Sequence, residues 1–271
     1  MISMSNKEFL QMSDYIHQNY GIYLKEEKKM ILEGRLCQLL QELNFSSYSD
    51  YFQHLLEDKT EMAVSALVER VTTNHTYFMR EKEHFFFFQN TILPNLAQAE
   101  RSRDLRIWSA GCSTGEEPYT LAMILDEFFG VEKQRWDTKV LATDLSTKVL
   151  ISAKKGVYRK ESLAVIPAIW KQLYFNEKTQ ESSEIVDRIK NEVIFRRLNL
   201  MEPTFPFKKK FHVIFCRNVM IYFDQETKKE LVDKFYSCLE TGGYLFIGQS
   251  ETIDRSASKF RYIMPAVYRK E

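Results

Sequence analysis

The sequence predicts an α/β protein: a doubly wound, mostly parallel sheet with an N-terminal all-α domain and a small inserted β-subdomain. Three observations predict the α/β layout. Apolar residues recur at helical spacing through the first 71 positions, short β-rich runs alternate with helical stretches after residue 88, and one β-run ends in a glycine-bearing turn that opens into a helix. With 271 residues, 44% hydrophobic and 28% charged, the chain can bury a sizeable core in one or two globular units.

The elements follow in order. Ser5 with Glu8 three residues on is a capping box; Phe9, Met12 and Ile16 keep helical period, and Gly21 is placed to end the helix. Residues 26–43 carry a second helical series through Ile31, Leu36, Leu39, Leu40 and Leu43. Asn44, Ser46 and Ser47 punctuate it before a third pattern through Tyr51, Leu55 and Leu56, and residues 62–71 complete the helical unit. The run Phe85, Phe86, Phe87, Phe88 is expected to pack a domain junction.

Beyond it, β-runs at 105–108, 139–142, 213–215 and 244–247 alternate with helix-like stretches at 118–128, 147–154 and 226–239, each long enough for a right-handed crossover. Residues 178–192 are polar and 193–195 apolar; they break the alternation and read as an inserted hairpin. The expected division is 1–88, helical domain and linker, and 89–271, sheet domain, with the insertion at about 157–197.

Composition excludes several classes. Lys and Arg number 38 against 37 Asp and Glu, so the charge surplus that binds a polyanion is absent and no nucleic-acid partner is expected. Cys37, Cys112, Cys216 and Cys238 form no Cys-x-x-Cys pair and the five histidines are dispersed, which predicts reduced thiols and no metal. No apolar run approaches the roughly 18 residues of a membrane helix, and residues 1–12 lack a secretory core, so a cytoplasmic protein without membrane insertion is expected.

Four windows carry chemistry. From Trp108 through Gly111, Cys112, Ser113, Thr114 and Gly115 to Glu116 and Glu117, a strand, a glycine turn and a helix start follow one another, an arrangement that brings backbone amides close to a ligand. Two carboxylates stand where a pyrophosphate would lie, so a neutral or cationic nucleoside fits better than a phosphate. Asp144 ends the next β-run and could accept both ribose hydroxyl protons, or could instead cap the helix near Thr147. Glu117 could likewise be a first-turn acid only. The third window, Thr72 to Glu81, mixes short polar residues, aromatics and Arg80 between the two units, and could be a simple tie. The fourth is an apolar strand running into Cys216, Arg217, Asn218, Val219, Met220, Ile221 and Tyr222, at the sheet edge where open α/β folds put ligands.

With these windows in this order, and supporting matches at 156–159 and 198–200, the chain resembles the chemotaxis receptor glutamate methyltransferases of the CheR family over nearly its whole length. The resemblance implies a sheet of the class I methyltransferase type, S-adenosylmethionine as cofactor and S-adenosylhomocysteine as product. It implies that Asn74, Thr76, Arg80, Glu117, Asp144, Asn199, Leu200, Cys216, Arg217 and Asn218 contact that cofactor, and that Arg80 and Tyr222 serve methyl transfer. The implied partner is the cytoplasmic domain of chemoreceptors. Some family members dock it with a basic helix, which would correspond to Lys28, Lys29 and Arg35 here, yet residues 1–88 hold 9 Lys and Arg against 13 Asp and Glu. The hairpin loop Thr179, Gln180, Glu181, Ser182, Ser183 lacks the glycine of members that grip a receptor C-terminal pentapeptide, so no tight tether is expected. The competing reading is a non-catalytic S-adenosylmethionine-sensing signalling module.

Overall fold

The structure is a computed structural model and describes residues 3–58, 60, 62–72, 75–254 and 256–271. Helix α1 (Asn6–Tyr20) begins at the expected capping box, with the Ser5 hydroxyl accepting from the Glu8 amide at 3.2 Å and the Glu8 carboxylate from the Ser5 amide at 2.9 Å. It ends at Gly21 in the left-handed region (φ 69°), where an added Cβ would run into the Met201 thioether. The series expected at 26–43 divides into a 3-10 turn, Glu26–Lys28, and α2 (Lys29–Glu42), because Lys25 supplies no side-chain cap and the chain tightens before the α-helix starts. Leu32, Leu36, Leu39 and Leu40 face inward; Ile31 and Leu43, expected on that face, are 56% and 44% exposed. Helices α3 (Tyr48–Glu57) and α4 (Met62–Val71) close the unit. Arg35 donates to the carbonyls of Arg70 and Val71, both at 3.2 Å, and so closes the end of α4, an occupation the docking expectation did not include.

Helices α5 (Lys82–Phe87) and α6 (Leu93–Ala99), joined by a π-turn at Phe88–Ile92, lead to the sheet. Phe85 stacks on Phe215 and Phe88 meets it edge-on, so half of the phenylalanine run anchors this connection to the sheet, while Phe86 is 46% exposed.

The main sheet has the order β6-β2-β1-β7-β8-β10-β9. Its strands are β1 (Ile107–Ala110), β2 (Val140–Asp144), β6 (Val193–Arg197), β7 (Phe211–Cys216), β8 (Leu239–Ile247), β9 (Arg261–Met264) and β10 (Val267–Arg269). β6, β2, β1, β7 and β8 run parallel, and the β9–β10 hairpin closes one edge antiparallel. Helices α7 (Glu116–Phe129), α8 (Thr147–Lys155) and α11 (Gln225–Cys238) make the crossovers. β1 lies between β2 and β7, where the winding reverses, and this switch point is where such sheets form a ligand crevice at their carboxyl ends.

A second sheet of β3 (Val157–Arg159), β5 (Ser182–Ile185) and β4 (Phe175–Glu177) is antiparallel, with α9 (Ala168–Tyr174) and α10 (Asp187–Lys190) around it. A hairpin is present, but not over the expected residues 178–195: β5 pairs with β4, which precedes that range, and Asp187–Lys190 is helical. The expected extent of the insertion is corrected at its end: Val193, Ile194 and Phe195 begin β6, which pairs parallel with β2 as the edge of the main sheet. Only three apolar residues precede Arg196 and Arg197, which are exposed on that edge, so the run was too short to read as a sheet strand.

Alternation along the strands divides the core. Trp108, Ala110, Ile214 and Cys216 point into a cluster continuous with Phe9, Ile16, Leu36 and Leu67 of the helical unit, while Ile107, Val213 and Phe215 point to α7 and the α5–α6 connection. One face of the sheet is thus roofed by the amino-terminal helices.

Candidate functional site

A cavity of about 280 Å³ opens at the carboxyl ends of β1, β2, β6 and β7, near the low end of the roughly 300–1,000 Å³ typical of small-molecule sites. Its walls come from both parts of the chain: Tyr20, Ile22 and Val68 from the helical unit, and the loops after the four strands from the sheet.

The glycine turn forms its floor. Gly111 (φ 79°), Ser113 (φ 48°) and Gly115 (φ 97°) are all left-handed, which folds the backbone tightly between β1 and α7. The Ser113 hydroxyl is buried among the loop atoms without a hydrogen-bond partner. The next residues hold the turn in place, with Thr114 accepting from the Tyr158 hydroxyl at 2.7 Å and its own hydroxyl bonding the buried Glu116 carboxylate.

Asp144 sits at the tip of β2, with one oxygen accepting from the Ser113 amide at 2.8 Å and the other from the Ser146 amide at 2.9 Å. It does not cap α8; Ser146 does, its hydroxyl accepting from Val149. A carboxylate offers about four lone-pair sites, so two backbone bonds leave it able to accept from a ligand. Burial pushes the Asp144 carboxyl above its ordinary value, opposed by the amides of Ser146, Ser113 and Leu145.

Glu117 projects from the first turn of α7 and accepts from the Ser109 hydroxyl at 2.7 Å and from Arg217 Nη1 at 2.9 Å. Arg217, its side chain 3% exposed, also meets Glu81 at 3.1 Å, donates to the Arg80 carbonyl, and lies over the Phe85 ring. Asn218 is left-handed (φ 59°); its amide nitrogen donates to Glu81 and its backbone N–H to Glu251.

The expected residues divide as follows. Thr76, Arg80, Glu117, Asp144, Asn199, Leu200, Arg217, Asn218 and Tyr222 all line the cavity. Cys216 does not: it is the last residue of β7, 0% exposed, and the alternation of the strand sends it into the core. Asn74 lies outside the described residues. Asn199 donates to the Asn19 carbonyl at 2.7 Å, so part of its amide is spent holding α1 against this wall.

Sequence reasoning missed Glu81, Glu251 and the helical-unit wall. Glu81 stood at the end of a quoted window, but its partners lie 136, 137 and 168 positions away. Glu251 receives the amides of Gly248, Asn218 and Ile221, at 2.5, 2.9 and 3.1 Å, and no local pattern announces it.

The family model described as CheR methyltransferase, SAM binding domain, matches residues 74–268, and that described as CheR methyltransferase, all-alpha domain, matches residues 7–72. A chemotaxis protein methyltransferase of Borreliella burgdorferi is 42% identical, across 99% of this chain and 96% of that one. Its namesake from Escherichia coli is 36% identical across 98% and 92%, and chemotaxis protein methyltransferase 2 of Pseudomonas aeruginosa 36% across 97% and 93%.

The cavity suits S-adenosylmethionine on its own terms. Acids Asp144 and Glu117 are compatible with a cationic sulfonium nucleoside, the left-handed turn brings backbone to the cavity edge, and the orphaned Ser113 hydroxyl awaits a partner. Cavity, acids and sequence matches agree, and the chain belongs to the CheR family of S-adenosylmethionine-dependent methyltransferases.

Proposed function

We propose that the protein methylates glutamate side-chain carboxylates of chemotaxis receptors in the cytoplasm, forming the methyl esters that set sensory adaptation. The observation that carries this reading is that one cavity is lined by the carboxylate of Asp144, by the Glu117–Arg217 ion pair, and by Arg80 and Tyr222. When bound, S-adenosylmethionine supplies an electrophilic methyl on a cationic sulfur. The residues around it have only to bind and align, because a glutamate with an ordinary pKa of about 4.3 is already an anion at neutral pH and needs no general base.

Arg80 suits the approach of that anion. Its Nη1 donates to the His75 carbonyl at 2.7 Å and its guanidinium lies 5.9 Å from the Tyr77 ring centroid, contacts that fix the side chain while using few of its five N–H donors. Tyr222 is positioned by backbone contact with the helical unit, its carbonyl accepting from Tyr23 at 2.8 Å and the neighbouring Phe223 bridging to Ile22. Ile22, Val68 and Phe223 supply apolar wall, so a bound pair of opposite charges would be poorly hydrated, which favours a reaction that cancels them.

The test is incubation with methyl-labelled cofactor and chemoreceptor-bearing membranes, followed by alkali. Label should leave as methanol, since a carboxyl ester hydrolyses and an N-methyl group does not. Arg80→Ala and Tyr222→Phe should each lower turnover, Arg80→Ala by about tenfold to a hundredfold if one charge-assisted contact is lost. Full turnover in both would remove them from the reaction, and binding without incorporation in the unsubstituted protein would favour the sensing module.

The β4–β5 hairpin carries a short turn closed by Thr179 and Ser182, with backbone bonds at 3.0 Å from Lys178 and Thr179 to Ser182. A receptor C-terminal pentapeptide titrated into the protein should give little heat; a micromolar isotherm would contradict that expectation.

A further inference from the structure

We infer that Glu81 is a positioning residue of the methyltransferase site, one that acts by holding Arg217 and Asn218 rather than by touching cofactor or substrate. The inference rests on the proposed placement of the cofactor against Glu117, Arg217 and Asn218. Glu81 itself is not part of the cavity wall, whereas Arg80, Glu117, Arg217 and Asn218 are.

The geometry makes Glu81 the hub of that wall. One oxygen meets Arg217 Nη2 at 3.1 Å and the Gln249 amide at 3.2 Å; the other accepts from the Asn218 side-chain nitrogen at 3.2 Å. A guanidinium is a rigid fork, so fixing Nη2 on Glu81 also fixes the direction of Nη1, which is the group that holds Glu117. Asn218 gives one N–H of its side-chain amide to Glu81, which fixes the amide plane and so the direction of its carbonyl oxygen.

Charge and backbone agree with that role. Arg217 is buried between two carboxylates, and removing either leaves a buried cation half compensated. His84 Nδ1 stands 3.5 Å from Glu81, but burial and then Arg217 hold the His84 pKa down to about 4, so a neutral imidazole does not compete with Arg217 for the carboxylate. Met79 (φ 58°), Glu81 (φ 53°) and Asn218 (φ 59°) are all non-glycine residues in the left-handed region. Such conformations persist where surrounding bonds over-determine them, and here the Glu81 carboxylate ties one strained segment to the other.

Isothermal titration of S-adenosylhomocysteine separates this role from a structural one. Glu81→Gln should weaken binding tenfold or more, Glu81→Asp should recover part of the loss, and in an Arg217→Met background Glu81→Gln should add little. Equal losses in both backgrounds, or unchanged affinity in Glu81→Gln, overturn the role of Glu81. So does a fall in thermal midpoint shared by Gln and Asp with wild-type affinity in the folded fraction. Unchanged affinity in Arg217→Met alone overturns instead the placement of the cofactor on which the inference rests.

Discussion

Replacement of Asp144 by Ala is expected to weaken S-adenosylmethionine binding by about a hundredfold or more. Hydrogen bonds to a charged group contribute about 1.5–3 kcal/mol each, and on the proposed placement of the cofactor the Asp144 carboxylate would accept two of them from the ribose hydroxyls. Two further consequences distinguish Asp144 from a residue that merely shapes the cavity. The Ser113 and Ser146 amides lose their acceptor, so the variant should also melt earlier, and Asp144→Asn should recover only part of the stability because its NH2 must face one of those two N–H groups. Because burial, reinforced by the nearby Glu69 charge, raises the Asp144 pKa, its carboxyl takes up a proton at higher pH than an exposed aspartate does. Affinity for a cationic ligand should therefore begin to fall on acidification at a higher pH than an exposed aspartate would give. Asp144→Asn should lack that component. Titration across pH with both proteins measures it, and near-native affinity in Asp144→Ala would remove this residue from the site.

How much of this was legible depended on the range of the interactions. Periodicity and punctuation located α1, α4 and the strands of the switch point, because the capping box, the left-handed Gly21 and the buried runs of β1 and β7 are each written within a few residues. Windows around Asp144, Glu117 and Arg217 were found for the same reason. What escaped is non-local. β6 is a strand because β2 offers it an edge, and its three apolar residues alone do not say so. Arg35 looked like a docking cation, and only the folded helical unit shows it closing α4. Cys216 lies within a motif whose next two residues line the cavity, yet strand alternation carries it into the core before the left-handed Asn218 turns the chain. The wall supplied by Tyr20, Ile22 and Val68 exists because the helical unit packs on the sheet, and the Ser65–Ser146 and Ser146–Glu69 bonds, at 3.2 and 2.8 Å, bring it against the loop that holds Asp144.

Trp108→Ala is the substitution expected to cost most stability, about 3–5 kcal/mol from the loss of a large buried aromatic alone. Trp108 is 0% exposed and its ring sits among Phe205, Phe207, Phe211 and Phe235, with centroids 5.3, 4.8, 5.4 and 5.4 Å away. Its indole N–H donates to the Thr143 hydroxyl at 2.9 Å, which ties β1 to the residue before Asp144. The substitution thus opens a cavity between the sheet and α11 and also loosens the tip of β2. Against a total stability of about 5–15 kcal/mol for a typical native protein, the loss is a large fraction. At about 2–4 °C per kcal/mol for chains of similar size, the thermal midpoint should drop by roughly 6–20 °C. Trp108→Phe, which keeps most of the packing but not the N–H, should recover most of that loss while still leaving Thr143 without this donor. Cofactor affinity measured well below the midpoint should then fall in both variants by a similar small factor, since both lose the bond to Thr143. A Trp108→Ala protein that melts with the wild type would show that the aromatic cluster does not hold the sheet to its helices.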